Sequence, residues 1–184
     1  MTLPSHPQVV CNEGGLFKFS TFQIPLLPSI PHQFLLHIQQ WDIRYGKTME
    51  RLTHHKKSIR AMAQYPKGYY SCFASASTDG NIKKINLPNG QLLHNMIPQQ
   101  MTIINAMAVN DEGVMATGGD NGSLWFWDWT SGYNFQQART KVQPGSSMDT
   151  DAGSSIIYAL TYDVTGATLI TCEGDKTIKM WKQR

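Results

Sequence analysis

Val114-Met115-Ala116-Thr117-Gly118-Gly119-Asp120-Asn121-Gly122-Ser123-Leu124-Trp125-Phe126-Trp127-Asp128-Trp129-Thr130-Ser131-Gly132 decides how the rest of this chain is read. A short run, Val114–Thr117, meets a Gly/Asp/Asn cluster, Gly118–Gly122, and then an aromatic-rich run, Leu124–Trp129. β-favouring residues on both sides of a turn rich in Gly and Asn describe an antiparallel hairpin. A helix would not tolerate that density of glycine. The pattern recurs from Cys72 to Ile85 around Thr78-Asp79-Gly80, and from Thr168 to Trp181 around Gly174-Asp175-Lys176. It is therefore a repeat.

The residue that closes the second run falls at Trp41, Ile85, Trp127 and Trp181, with spacings of 44, 42 and 54 residues. The first two match the roughly 40–45 residues of a four-stranded propeller blade. The third is lengthened by a polar loop, Arg139–Ser155. Trp41-Asp42 and Trp127-Asp128 show the dipeptide of WD repeats. Asp79 and Asp175 stand six residues before their markers; Asn121 holds that place in the third unit, with Asp120 beside it. Such a residue hydrogen-bonds its local backbone and tolerates left-handed geometry.

The chain has 184 residues, 41% hydrophobic and 16% charged, so composition does not make it disordered. A net charge of +3 allows an RNA or phosphoprotein partner and demands neither. No run of 18 apolar residues is present, and a secretory signal is not expected. Asn121-Gly122-Ser123 matches a glycosylation sequon but occupies the tight turn itself. Three cysteines, Cys11, Cys72 and Cys172, lack metal-binding spacing, and their odd number favours a reducing compartment. Cys72 and Cys172 are expected at equivalent strand positions, as small buried hydrophobes.

Met1–His37 does not fit the repeat and is peppered with proline, which breaks helix and central strand alike. It reads as an extended arm, or, the reading the abrupt mid-blade start at Ile38 favours, as a poorly ordered or gene-model-derived sequence that replaced upstream blades. From Ile38 to Arg184 the repeat runs in order. Strands are expected over 38–43 and 48–53, then 58–64, 71–76, 81–86 and 91–96. They continue over 103–109, 113–118, 123–128 and 133–138, and end with 156–162, 167–172 and 177–182. That makes an all-β chain with about two complete and two partial four-stranded antiparallel blades. Two complete blades cannot close a ring, so exposed edges and apolar faces are expected.

Strand order places the links between blades on one face with the turns at Thr78–Gly80, Gly119–Gly122 and Gly174–Lys176. Loops on a rigid scaffold carry binding groups disproportionately. The candidate partner-binding residues on this face are His54, His55, Lys56, Lys57 and Arg60 in one basic cluster. Arg139, Lys141, Asp149 and Asp151 in the long loop join them, with Lys176. The cluster suits phosphate or an acidic partner, or is a solvated loop in which His55 has a structural job. Nucleophile elbow, phosphate-cradling glycine motif and HExxH are all missing, and His54-His55 lacks a third metal ligand. No catalysis, cofactor or small-molecule substrate is expected. Trp125, Trp127 and Trp129 share one strand face and read as packing between blades.

Longer segments carry a more specific likeness. Trp41–Met49, Leu52–Met62, Thr102–Asn110, Gly118–Trp129 and Asp175–Lys182 resemble the later blades of the pleiotropic regulator family of WD-repeat proteins, its plant members above all. The resemblance covers Ile38 to Arg184. It implies a seven-bladed propeller in the nucleus, acting as a scaffold among spliceosome proteins in the Nineteen-associated complex, with plant signalling roles. It also implies a structural hydrogen-bond set of His, Ser/Thr, Asp and Trp, incomplete in every unit here. His55, Ser75 and Asp79 go with Ile85 in place of Trp. Thr117 and Trp127 go with Gln100 in place of His, and Thr171, Asp175 and Trp181 have no clear His. The alternatives are a propeller subunit whose basic cluster binds RNA backbone directly, where the scaffold allows only weak RNA contact, and a substrate receptor for ubiquitin ligation.

Overall fold

The computed structural model describes residues 38–42, 45–67, 72–87, 89–98, 101–142 and 155–182, with two strands at 9–11 and 17–20. Among the described residues, fifteen strands form four antiparallel sheets. The first orders β1 (Val9–Cys11), β2 (Phe17–Ser20), β3 (Ile38–Asp42) and β4 (Lys47–Leu52). The second orders β5 (Ile59–Gln64), β6 (Cys72–Ser77), β7 (Ile82–Asn86) and β8 (Leu92–Met96). Next come β9 (Ile104–Val109), β10 (Val114–Gly119), β11 (Ser123–Asp128) and β12 (Asn134–Arg139). The last sheet has three strands, β13 (Ile157–Tyr162), β14 (Thr168–Glu173) and β15 (Ile178–Lys182).

In each of the last three sheets the chain meanders outward from an inner strand, the arrangement of propeller blades. β5 lies against β9 and β9 against β13, so the sheets stand side by side through their inner strands. The first sheet differs from the sequence expectation. A partial blade of two strands was expected there, but β2 pairs with β3 and β1 with β2, using residues from the proline-rich segment.

The Gly- and Trp-rich hairpin is β10–β11, in register from Val114↔Asp128 to Gly118↔Leu124. Its strands are apolar on both faces because both faces are covered, where a half-exposed strand would alternate. Trp125 and Trp127 turn toward the second sheet, joining Ile82, Ile104, Met107, Met115 and Trp129 in one core cluster. Leu124 turns the other way and packs with Ala116, Ile157 and Leu169 of the fourth sheet. Gly118 makes that second contact close: a Cβ there would stand 2.5 Å from Ile157 Cγ2. Between the first two sheets lie Ile38, Leu52, Ile59, Met62, Phe73, Ile85 and Leu87.

On the fourth sheet Ile178 and Met180 are 71% and 72% exposed, and Tyr158 is exposed as well. Cys172 corrects an expectation. It is not equivalent to Cys72, since Cys72 opens β6 opposite Asn86 whereas Cys172 sits at the far end of β14 opposite Ile178. Cys72 is buried and Cys172 exposed.

Candidate partner-binding face

Three turns between second and third strands repeat one geometry. Asp79 Oδ1 accepts from Asn81 N at 3.0 Å, Asn121 Oδ1 from Ser123 N at 3.0 Å, and Asp175 Oδ1 from Thr177 N at 3.1 Å. Asparagine serves as well as aspartate because the bond needs only a side-chain oxygen two residues before the donor. The preceding residue ties each turn to the incoming inner strand: Thr78 N to Ser58 O, Asp120 N to Ile103 O, and Gly174 N to Ile156 O, all within 3.0 Å. The third place takes positive φ, at Gly80 (+81°), Gly122 (+75°) and Lys176 (+66°). Lys176 thus holds, exposed, a backbone conformation its neighbours give to glycine.

The basic cluster separates into parts. His55 is buried, and its Nε2 lies 2.8 Å from Ser75 Oγ. Desolvation, helped by nearby Lys83, lowers its pKa to about 4, so the imidazole is neutral at physiological pH. His54 Nε2 donates to the Gly90 carbonyl at 2.7 Å, in the turn between β7 and β8. Lys56 and Lys57 are exposed. Arg60 is exposed too but belongs to β5, not to the loop.

Arg139 Nε donates to the Asn121 carbonyl at 3.3 Å, joining the long loop's start to the turn. Lys141 is exposed, and its carbonyl accepts from Lys179 Nζ at 2.6 Å. Thr140 Oγ1 donates to the Ser155 carbonyl at 3.0 Å, so both ends of the loop are clasped together. Asp149, Asp151 and Gln100 lie outside the described residues.

The structural set appears unit by unit. Trp127 Nε1 donates to Thr117 Oγ1, and Trp181 Nε1 to Thr171 Oγ1, both at 3.1 Å. Ile85 cannot donate, and the fully buried Ser75 is met by His55 instead. Asp120 Oδ1 accepts from Thr102 Oγ1 at 2.6 Å. Asp128 accepts from Ser131 N at 2.8 Å, and the two hydrogen bonds from Ser131 hold its carboxyl below the usual range. Trp41 and Asp42 pair with Thr48 and Lys47 across β3–β4.

Two residues of the last unit were missed. Glu173 accepts from Thr171 Oγ1 at 3.0 Å, taking the role of the absent histidine, and Lys179 Nζ lies 2.6 Å from Glu173 and 3.3 Å from Asp175. Both carboxylate side chains are wholly buried. The available signal was that Lys179 shares a strand face with Trp181.

His55, Ser75 and Asp79 invite comparison with a hydrolase triad, but Ser75 is fully buried and Asp79 is committed to its own turn. Among the described residues, no group of three or more His, Cys, Asp or Glu could hold a metal.

The repeats match a known sequence family. The model described as "WD domain, G-beta repeat" matches residues 46–86 and 145–182. Protein pleiotropic regulator PRL2 of Arabidopsis thaliana is 61% identical over 139 residues, 76% of this chain and 28% of that protein. The chain carries WD40 repeats and is similar to the pleiotropic regulators. Pre-mRNA-splicing factor PRP46 of Candida glabrata is 42% identical over 138 residues, covering 75% of the WD40 chain and 31% of its relative. Pleiotropic regulator 1 of Homo sapiens is 44% identical over 123 residues, 67% of the chain and 22% of that protein. The WD40 chain therefore spans under a third of the length of these relatives. The family match skips residues 87–144, yet the third sheet repeats the same turn and the same Trp-to-Thr bond as the fourth.

Proposed function

We propose that the chain is a non-enzymatic scaffold of pre-mRNA splicing, working in the nucleus among the proteins of the Nineteen-associated complex, with 38–184 as its repeat region. The observation that carries this reading is the similarity, over about three quarters of the chain, to a relative named as a pre-mRNA-splicing factor. The geometry supports it: each turn is fixed by its own hydrogen bonds, leaving Lys56, Lys57, Arg139 and Lys176 exposed on one rigid face. Rigid sheets presenting polar loops suit protein docking.

Affinity capture of the tagged chain from nuclear extract tests the proposal. Splicing proteins should be enriched over capture by an unrelated tagged propeller, and should survive nuclease treatment. Equal recovery from both baits would overturn the scaffold reading. Enrichment lost entirely with nuclease would make RNA the tether.

A further inference from the structure

In the last three sheets the inner strand carries a β-bulge at the same place. Pairing steps from Ile59↔Ser77 to Ala61↔Ala76, from Ile104↔Gly119 to Ala106↔Gly118, and from Ile157↔Glu173 to Ala159↔Cys172. The residues left without a cross-strand partner are Arg60, Asn105 and Tyr158. A bulge breaks alternation and re-aims a side chain, and bulges gather beside binding sites. These three, from three successive sheets, line one cavity of about 310 Å³ together with Ile103, Asp120 and Ile156.

The bulge is common to all three blades, but its occupant differs: a guanidinium, an amide and a phenol. Packing demands of a shared backbone feature do not account for such variety. Asn105 Nδ2 donates to the Ile157 carbonyl at 3.2 Å, which fixes the amide and leaves its oxygen as an acceptor. Asp120 spends Oδ1 on Thr102 and the Ile103 amide, leaving Oδ2 open. Among the described residues no ion pair engages Arg60, although Arg60 and Asp120 border the same space. Opposite charges that share a cavity without pairing call for a ligand that carries both signs. Asp120 also borders a second cavity of about 210 Å³, beside Lys57, Asp79 and Met101.

We propose that the bulge-lined cavity seats an extended protein segment bearing an acidic and a basic side chain close together. The acid meets Arg60 and the base meets Asp120, with apolar stems against Tyr158, Ile103 and Ile156. Nucleic acid fits less well, because its phosphates would meet Asp120 in this cavity and Asp79 in the one beside it. This rests on the scaffold reading and names the chemistry of its partner.

The test uses the full chain and fluorescein-labelled heptapeptides with a central arginine and a glutamate one, two or three residues away. Arg60→Gln removes one charge; Asp120→Asn removes the other while keeping the oxygen that Thr102 and Ile103 need. Each should weaken binding of the best peptide about fivefold or more, the size of one partly screened charge pair. The Arg60→Gln loss should vanish when the peptide's glutamate is glutamine, which a merely structural role would not produce. Peptides that do not bind, or that bind both variants as well as the parent, would overturn the proposal. So would displacement of the peptide by oligouridine. If splicing proteins are still captured by the unaltered chain, only this seat is wrong and the scaffold reading stands.

Discussion

His55 is where one residue sets a solution property. Its folded-state pKa of about 4 lies below the ordinary 6.5, so the folded protein keeps the ring neutral while the unfolded chain protonates it. Stability from this group is intact above pH 6.5 and falls as pH drops toward 4, by up to about 3 kcal/mol. Thermal melts across that window should show the decline, and His55→Gln should flatten it. Lys176 gives a prediction of opposite sign. At φ +66° it occupies the place of Gly80 and Gly122. Lys176→Gly should stabilise by about 0.5–1 kcal/mol in urea unfolding. Gly80→Ala should destabilise, since its Cβ would meet the Thr102 carbonyl at 2.9 Å. The equivalence of Asn121 to Asp79 and Asp175 was legible in the sequence, because turn chemistry is local. The burial of His55 was open, because a histidine beside two lysines reads equally well as a solvated loop.

Among the elements, β14 and β15 carry the feature that sequence hid. Lys179 bridges Glu173 and Asp175, both wholly buried. Removing the lysine would leave two buried carboxylates without their cation. Lys179→Ala should cost about 2–3 kcal/mol and free the Lys141 end of the long loop, whose carbonyl it holds. Faster amide exchange at Thr140, whose N–H bonds the Gly122 carbonyl, would report that release. Charged residues in an otherwise apolar strand read as its solvent face. Strand positions themselves were readable to within a residue or two, because turn residues punctuate each strand. The β-bulges were not, for register depends on two strands at once. Arg60 thus fell within a strand expected over 58–64, but nothing in the sequence marked it as the bulged residue.

The molecule as a whole is held by sheets standing side by side with their inner strands adjacent. Repeat length made that arrangement legible, since units of 42–44 residues match a propeller blade. The sheet containing β1 and β2 was not legible, because proline argued against strands there. Cys172 was misjudged for a related reason: burial depends on whether another sheet covers that face, which no single strand reveals. Gly118 is the most sensitive point of contact between sheets, and Gly118→Ala should destabilise by about 1–3 kcal/mol through collision with Ile157 and Leu160. The same contact offers the most direct test of the architecture. In a nuclear Overhauser spectrum of the methyl-labelled chain, Gly118 Hα should give a strong cross-peak to the Ile157 Cγ2 methyl. With both resonances assigned, a spectrum without that cross-peak would show that the third and fourth sheets do not stack as blades.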